Sequence, residues 1–464
     1  MAIDTEWDVI VVGSGLGGLT AAARIATSGL RVLVLEQHVY AGGYAHHFLR
    51  RVKGTRIVYD FDVALHQTGD LKPGCAMHGV LSRLGMLDRI RLREFEIAYR
   101  TVGPAHDHQI PAAASDYEAL LCNAYPEEAS GIKDLFQTFR DIDSPGEGNA
   151  PSGAALAAMD RSLAELLDAH VRDVRVQSII ATLWGYIGLV PSQASAFLYA
   201  RMWATYHFGG CFYIEGGGQA LSDAFVDVIE SHGGRVVLQA QVESIETRAG
   251  RVVGVDTRKQ GRFRAPVVVS NAAAPSTFHD LLDREDLASR DIEKVDRLPL
   301  ACSIHQAYVG FRGDAAKLGL ADRTAFHTSS YDFEVERRAL ETGDYSAQGW
   351  LLGNHTLADP THVPAGRSIL HASIMADGRL WQDLDAPTYR ARKQELEDFL
   401  VDRLAEAIPD VRERIEVCET GTPHTMQRYS RNPLGSIYGF ACSPTGHSIH
   451  RPAPKTSVPG LYLA

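Results

Sequence analysis

Apolar residues first gather in a short β-branched run, Trp7-Asp8-Val9-Ile10-Val11-Val12, which stops at Gly13. Such a run, without polar alternation, predicts a strand buried on both faces, as in a parallel sheet. After a stretch of helical length ending at Gly29, Arg31-Val32-Leu33-Val34-Leu35 repeats the pattern, and together they predict a β-α-β unit. Past Gly218, Leu221, Ala224, Phe225, Val228 and Ile229 fall at i, i+3, i+4, i+7 and i+8, an amphipathic helix closed by Gly233-Gly234. Residues 236–238, 242–247, 252–257 and 267–270 then read as a strand and a small antiparallel meander returning to the first sheet, with Ala249-Gly250 as a turn. Farther along, 303–311, 350–353 and 368–374 read as strands of a second sheet, and 395–408 as a helix with Leu396, Leu400 and Leu404 on one side. Residues 143–153, rich in Pro, Gly, Ser and Asn, predict an exposed, mobile loop.

Residues 176–214 depart from the rest of the chain. They carry one formal charge, Arg201, and nine aromatics crowd into 184–213, against 8% for the whole sequence. Two readings stay open: a helical core for a second domain, or a functional surface, either an apolar tunnel for a long hydrocarbon or a patch resting on a membrane surface.

With 464 residues the chain exceeds one compact core, so about two domains or one elaborate fold are expected. Its 57 acidic and 46 basic residues leave a net charge of −11, which argues against a nucleic-acid binder. At 45% apolar and 22% charged residues it reads as an ordinary soluble globular protein. Six scattered cysteines without a CxxC pair point to reduced thiols in a cytoplasmic protein. Met1 to Glu6 lack the features of a signal peptide, and the longest uncharged apolar run, residues 179–190, is 12 residues long. A bilayer span takes about 20, so no integral membrane segment is expected.

The chemistry starts where the first strand ends, in Gly13-Ser14-Gly15-Leu16-Gly17-Gly18. Between a strand and a helix this GxGxxG is a dinucleotide fingerprint: Gly13 for the sharp turn, Gly15 for close approach of a pyrophosphate, Gly18 for helix–strand packing. The helix N-terminus offers N–H groups and a positive dipole end to phosphate. Glu36, at the end of the second strand, can accept both ribose hydroxyls. A second pair, Gly42-Gly43, lets the chain pass close to an extended ligand again and favours FAD over NAD as the bound cofactor.

Leu35-Glu36-Gln37-His38 through Ala41-Gly42-Gly43, followed by Phe61-Asp62 and by His66 before Gly69, resembles the retinol saturases, carotenoid isomerases and phytoene desaturases. The resemblance continues in Phe212-Tyr213, Gly216-Gly217-Gly218, Val269-Ser270-Asn271-Ala272 and Val458-Pro459-Gly460-Leu461-Tyr462-Leu463-Ala464, spread over nearly the whole chain. It implies an α/β fold: a Rossmann-like FAD-binding domain, a doubly wound parallel sheet plus the meander, made of residues 1–70, 216–280 and 415–464. A second, α+β substrate domain would comprise 71–215 and 281–414. It implies that Gln37 and Tyr44 join Glu36 and the glycines around FAD, that Val242 meets the adenine end, and that Asn271 and Ala272 lie near the cofactor. His66 is expected beside the isoalloxazine, to protonate a polyene carbon or polarise the flavin, with Asp62 in the same segment. For both residues a purely local hydrogen-bonding role is the alternative.

The implied reaction is saturation, desaturation or flavin-assisted cis–trans isomerisation of a hydrophobic polyene or isoprenoid. NAD(P) would be the diffusible electron donor or acceptor, and peripheral membrane contact is expected. Three departures stand out. Ile214-Glu215 replaces the Pro and basic residue usual before the glycine run, Ala64 replaces a glycine, and relatives continue past Ala464 with a turn and a last helix, so the sequence is expected to be a fragment. Two rivals remain: a flavin amine oxidase, against which Tyr44 stands in place of an arginine, and a prenyl-lipid carrier of the GDP-dissociation-inhibitor type, which has no need of the intact fingerprint. The basic group His46, His47, Arg50, Arg51 and Lys53 reads as solvated surface, or else as a phosphate or lipid-headgroup contact. The other histidines lack ligand spacing, so no metal site is expected.

Overall fold

The computed structural model describes residues 4–146, 150–283 and 288–464. Five parallel strands form the first sheet, in the order Leu461–Leu463, Val267–Ser270, Val9–Val12, Val32–Leu35 and Arg235–Val237. Val9–Val12 and Val32–Leu35 are buried throughout because alternate residues serve opposite faces. Val9, Val11, Val32 and Val34 pack with Leu19, Ala22, Phe225 and Val228 of the helices Leu16–Ala26 and Gly217–Ser231. Ile10, Val12, Leu33 and Leu35 pack with Val242, Val255 and Phe263 of the meander.

The meander comprises Val242–Arg248, Arg251–Thr257 and Gly261–Arg264, with Ala249 (φ 50°) and Gly250 (φ 70°) forming the tight turn. Its third strand escaped the sequence pattern, since Phe263 is its only buried residue.

A seven-stranded sheet carries the other half of the molecule, in the order Ile415–Gly421, Ser303–Arg312, Arg367–Ala376, Trp350–Asn354, Thr324–His327, Ile97–Gly103 and His106–Pro111. The expected return to the nucleotide half at residue 415 is corrected here: Ile415–Gly421 runs antiparallel to Ser303–Arg312. That ten-residue strand has a long edge of backbone groups to satisfy, whereas the edge beside Val267–Ser270 is taken by Leu461–Leu463. The helix expected over 395–408 begins earlier, at Ala386, where Asp385 caps it by accepting from Thr388 N. Of the expected loop 143–153, Asp143 ends the helix Ala129–Asp143 and Gly153 opens Gly153–Met159, while 147–149 lie outside the described residues.

The aromatic stretch divides its residues between the two readings. Ile179, Ile180, Leu183, Tyr199 and Trp203 are fully buried in a large helical core. Trp184, Tyr186, Met202 and Tyr206 instead line a cavity. Among the described residues, no large apolar side chain of 176–214 is exposed, and no helix is long and apolar enough to cross a membrane.

Candidate active site

The glycines of the first loop make room for protein as well as ligand. Gly13 takes φ +92°, and a Cβ on Gly18 would stand 2.3 Å from the Gly13 carbonyl oxygen, so the helix can approach the strand only without a side chain there. A Cβ on Gly15 would lie 2.6 Å from Asn271 Oδ1, and one on Gly17 2.9 Å from Asn271 Nδ2. Asn271 therefore nests its amide in the loop, and its Nδ2 donates to the Ala464 carbonyl at 3.1 Å. Gly42-Gly43, expected to approach the cofactor, also seats the second loop on the first: Gly42 N donates to the Ser14 carbonyl at 2.9 Å, and a Cβ on Gly43 would reach 2.9 Å from Gly15 Cα.

Glu36 organises both loops. Its Oε2 accepts from Ser14 N at 2.8 Å and from Ser14 Oγ at 2.7 Å, and its Oε1 accepts from His38 N at 2.7 Å. Gln37 turns elsewhere, with Nε2 donating to the Tyr429 carbonyl at 2.9 Å and Oε1 accepting from Arg431 Nε at 3.3 Å. It lies on the wall of the cleft but is tied to the far rim.

These loops open on a cleft of about 1690 Å³ whose wall includes Gly13, Gly15, Glu36, Tyr44, Val242 and Ala272. The Leu16–Ala26 helix points its first turn at this cleft with no side-chain cap and no acidic residue. Unpaired N–H groups at such an end, with the Glu36 carboxylate close by, suit a dinucleotide pyrophosphate, so the residues present fit FAD. The basic group is largely spent on neighbours: His46 Nδ1 donates to the Gly43 carbonyl at 2.5 Å, His47 pairs with Asp60, and Arg50 with Glu419 at 2.8 Å.

A second cavity of about 370 Å³ adjoins the cleft, and Tyr44, Val63, Met426 and Ile437 border both. Trp184, Tyr186, Tyr206, Phe326, Trp350 and Tyr438 give it an aromatic wall. The 61–69 segment forms the partition. Tyr308 Oη and Gln306 Nε2 both donate to the Val63 carbonyl, at 2.8 and 3.2 Å, and Thr68 pairs with Phe212 through its backbone in both directions. Gly69 presses against Thr205, whose carbonyl oxygen would be 2.3 Å from a Cβ.

Asp62 does not reach either cavity wall. Its Oδ1 accepts from Ala64 N and Leu65 N, at 3.0 and 2.7 Å, and its Oδ2 from Gly218 N at 2.6 Å. The expected catalytic role gives way to a structural one: the carboxylate shapes the turn that presents His66. Burial pushes it up to about 6 despite those three bonds. His66 does line the second cavity, with Nδ1 buried and unpartnered. Burial lowers it to about 3, helped by His355 and Arg323, so at neutral pH the ring is uncharged. It retains one N–H and one lone pair with which to orient or polarise.

Sequence reasoning missed Met426 and Ile437, which the segment after Gly421 brings to the junction of the two cavities, Tyr438 on the wall of the aromatic one, and also His355 and His371, whose rings gather around His66. No local spacing signals either group, because each is assembled from distant strands and loops.

Residues 16–464 match the family described as flavin containing amine oxidoreductase. All-trans-retinol 13,14-reductase of Danio rerio is 24% identical over 483 residues, covering 94% of this chain and 78% of its own length. Prolycopene isomerase 2, chloroplastic, of an Oncidium hybrid cultivar is 25% identical, covering 98% of this chain and 79% of its own. These relatives agree with the resemblance carried by the sequence blocks. The crystal structure of an oxidoreductase from Methanosarcina mazei superposes with a TM-score of 0.68 at 19% identity, covering 98% of this chain and 94% of that one, which shows a shared fold. With the fingerprint, the glycine cradle and this match over nearly the full length, the chain belongs to the flavin containing amine oxidoreductase family and is an FAD-dependent oxidoreductase.

Proposed function

We propose that the protein acts on a hydrophobic polyene or isoprenoid, by saturation, desaturation or flavin-assisted cis–trans isomerisation. The observation that carries this reading is the aromatic cavity opening onto the dinucleotide cleft at Tyr44, Val63, Met426 and Ile437. The names of the relatives, a retinol reductase and a prolycopene isomerase, support the same substrate class.

Bound FAD supplies hydride transfer to or from a substrate carbon. The chain's own residues do the rest. Gly13, Ser14, Gly15, Gly17, Gly18 and Glu36, with Gly42-Gly43, form the pyrophosphate and ribose cradle, and Val242, Asn271 and Ala272 line its flank. Trp184, Tyr186, Tyr206 and Trp350 hold an extended apolar chain and keep water from the reacting carbon. Neutral His66, on the cavity wall, orients the substrate or polarises its neighbour through one ring nitrogen. In this reading nucleotide-side segments within 1–70 and 216–280 bind the cofactor, while 71–215 and 281–414 shape the substrate cavity. A substrate of this class partitions into lipid, so the proposal includes peripheral membrane contact, with NAD(P) as diffusible electron partner.

The test is anaerobic incubation of the flavin-loaded, reduced and oxidised protein with all-trans and cis retinoids and carotenoids, products being separated by chromatography. A shifted double-bond count or isomer ratio supports the proposal. Peroxide release from amines, with polyenes untouched, overturns it.

A further inference from the structure

Three histidines distant in sequence converge behind the wall of the aromatic cavity. His66 comes from the partition segment, His355 is the first residue of the short helix His355–Ala358, and His371 stands within the strand Arg367–Ala376. One ring nitrogen from each lies within 4.8 Å of the others. The His66 and His371 rings stack at 4.1 Å, and His355 sits 4.8 Å from His371 at a 52° tilt.

The cluster is built into the fold and is polar without internal satisfaction. His371 faces Gly353 across the strand pair, and a Cβ on that glycine would come within 1.7 Å of the imidazole, so the space exists only because residue 353 has no side chain. His371 is 1% exposed and His355 9%. Neither nitrogen of His371 has a hydrogen-bond partner, nor has His66 Nδ1 or His355 Nε2. A neutral imidazole carries both a donor and an acceptor, and fully dry, unpaired examples are rare in folded proteins. Several at one point call for a shared partner. The nearby cation Arg323 is already held by Gln67 Oε1 and the Ile97 and Ala98 carbonyls, at 3.0–3.1 Å.

We propose that His66, His355 and His371 bind one divalent transition-metal ion of the zinc type. Three imidazoles with no carboxylate among them suit zinc, copper, nickel or iron and disfavour magnesium and calcium. Because an imidazole binds an ion in its ring plane, the His66 and His371 rings must turn out of their stack on ligation. Tetrahedral bonds of about 2.0–2.1 Å then draw the nitrogens together to about 3.4 Å and leave a fourth position for water or substrate. The ion joins the partition segment to the second sheet at the cavity wall. This does not depend on the identity of the flavin substrate.

The experiment uses the full chain, expressed without a histidine tag and loaded with FAD, then stripped with chelator and titrated with Co²⁺ and Zn²⁺. The expected result is about one ion per chain, with visible Co²⁺ ligand-field bands and X-ray absorption reporting histidine nitrogen ligands in the unaltered protein. His355→Gln and His371→Ala should each weaken Co²⁺ binding at least tenfold while flavin absorbance, which reports the folded cofactor site, is retained. Since the ligand count is read on the unaltered chain, a variant that fails to fold does not decide the matter. No uptake, or uptake without histidine ligation, overturns the proposal, as does binding unchanged in a folded variant, the mark of an adventitious ion only.

Discussion

The Asp62 carboxylate meets the backbone N–H of Gly218 at 2.6 Å, capping from outside the helix Gly217–Ser231, whose own N-cap, Gly216, has no side chain. Asp359 does the same for Gly216 N at 2.7 Å. A Cβ on Gly217 would stand 2.4 Å from Asp62 Oδ2, which gives the Gly216-Gly217-Gly218 run its physical reason: carboxylates from two other segments must reach the first turn.

Asp62 should leave a pH signature. Its folded value, about 6, lies above the ordinary carboxylate value, so between about pH 4 and 6 the folded chain holds a proton that the unfolded chain has released. Its contribution to stability is therefore full at low pH and lost as pH rises through that window, by about 3 kcal/mol for a shift of roughly two units. Asp62→Asn cannot titrate, and urea unfolding from pH 4 to 7 should show that slope removed. A slope unchanged in the variant would place the titration elsewhere.

Gly15→Val should abolish stoichiometric flavin binding. Its side chain must displace the Asn271 amide, since even a Cβ approaches Oδ1 to 2.6 Å, and it also obstructs the pyrophosphate path. The visible spectrum of the purified variant checks this, and retained flavin would mean that the cradle is elsewhere.

Glu36→Ala leaves Ser14 N, Ser14 Oγ and His38 N without their acceptor and, in the proposed reading, removes the ribose partner. FAD should bind at least tenfold more weakly, about 1.4 kcal/mol or more, as read from quenching of flavin fluorescence on titration.

Gly185→Leu separates the two cavities functionally. Gly185 lines the aromatic cavity, and a Cβ there meets only the mobile end of Met375, at 3.2 Å. The variant should fold and keep its flavin while losing most polyene turnover, because the larger side chain fills substrate space. Normal turnover would show that substrate binds elsewhere.

The nucleotide half was legible because its signals are local. A β-branched run, a glycine turn and a terminal acid sit within the stretch that folds them together, and Val9–Val12 through Glu36 took the expected arrangement. The second half was less so. His106–Pro111 reads as polar yet pairs with Ile97–Gly103, since an edge strand needs little apolar surface. Ile415–Gly421 is largely half-buried and carries no mark of which sheet it joins. Asp62 and His66 lie in one segment, but their surroundings rest on Gly218, His355 and His371, whose arrival depends on tertiary pairing. Periodicity does not carry that information.

The first sheet draws its central strand from residues 9–12, that strand's two neighbours from 32–35 and 267–270, and one edge from 461–463, while Asn271 fills the glycine loop. On the ribosome, the amino-terminal cradle emerges long before the strand that seats Asn271 beside it, and the edge strand follows later still. Contacts so widely separated along the chain slow folding and leave apolar edges waiting for partners. The flavin thus has no finished seat until residues 267–271 have joined the amino-terminal cradle, and until then a supply of free cofactor is of no use and protection from aggregation matters most.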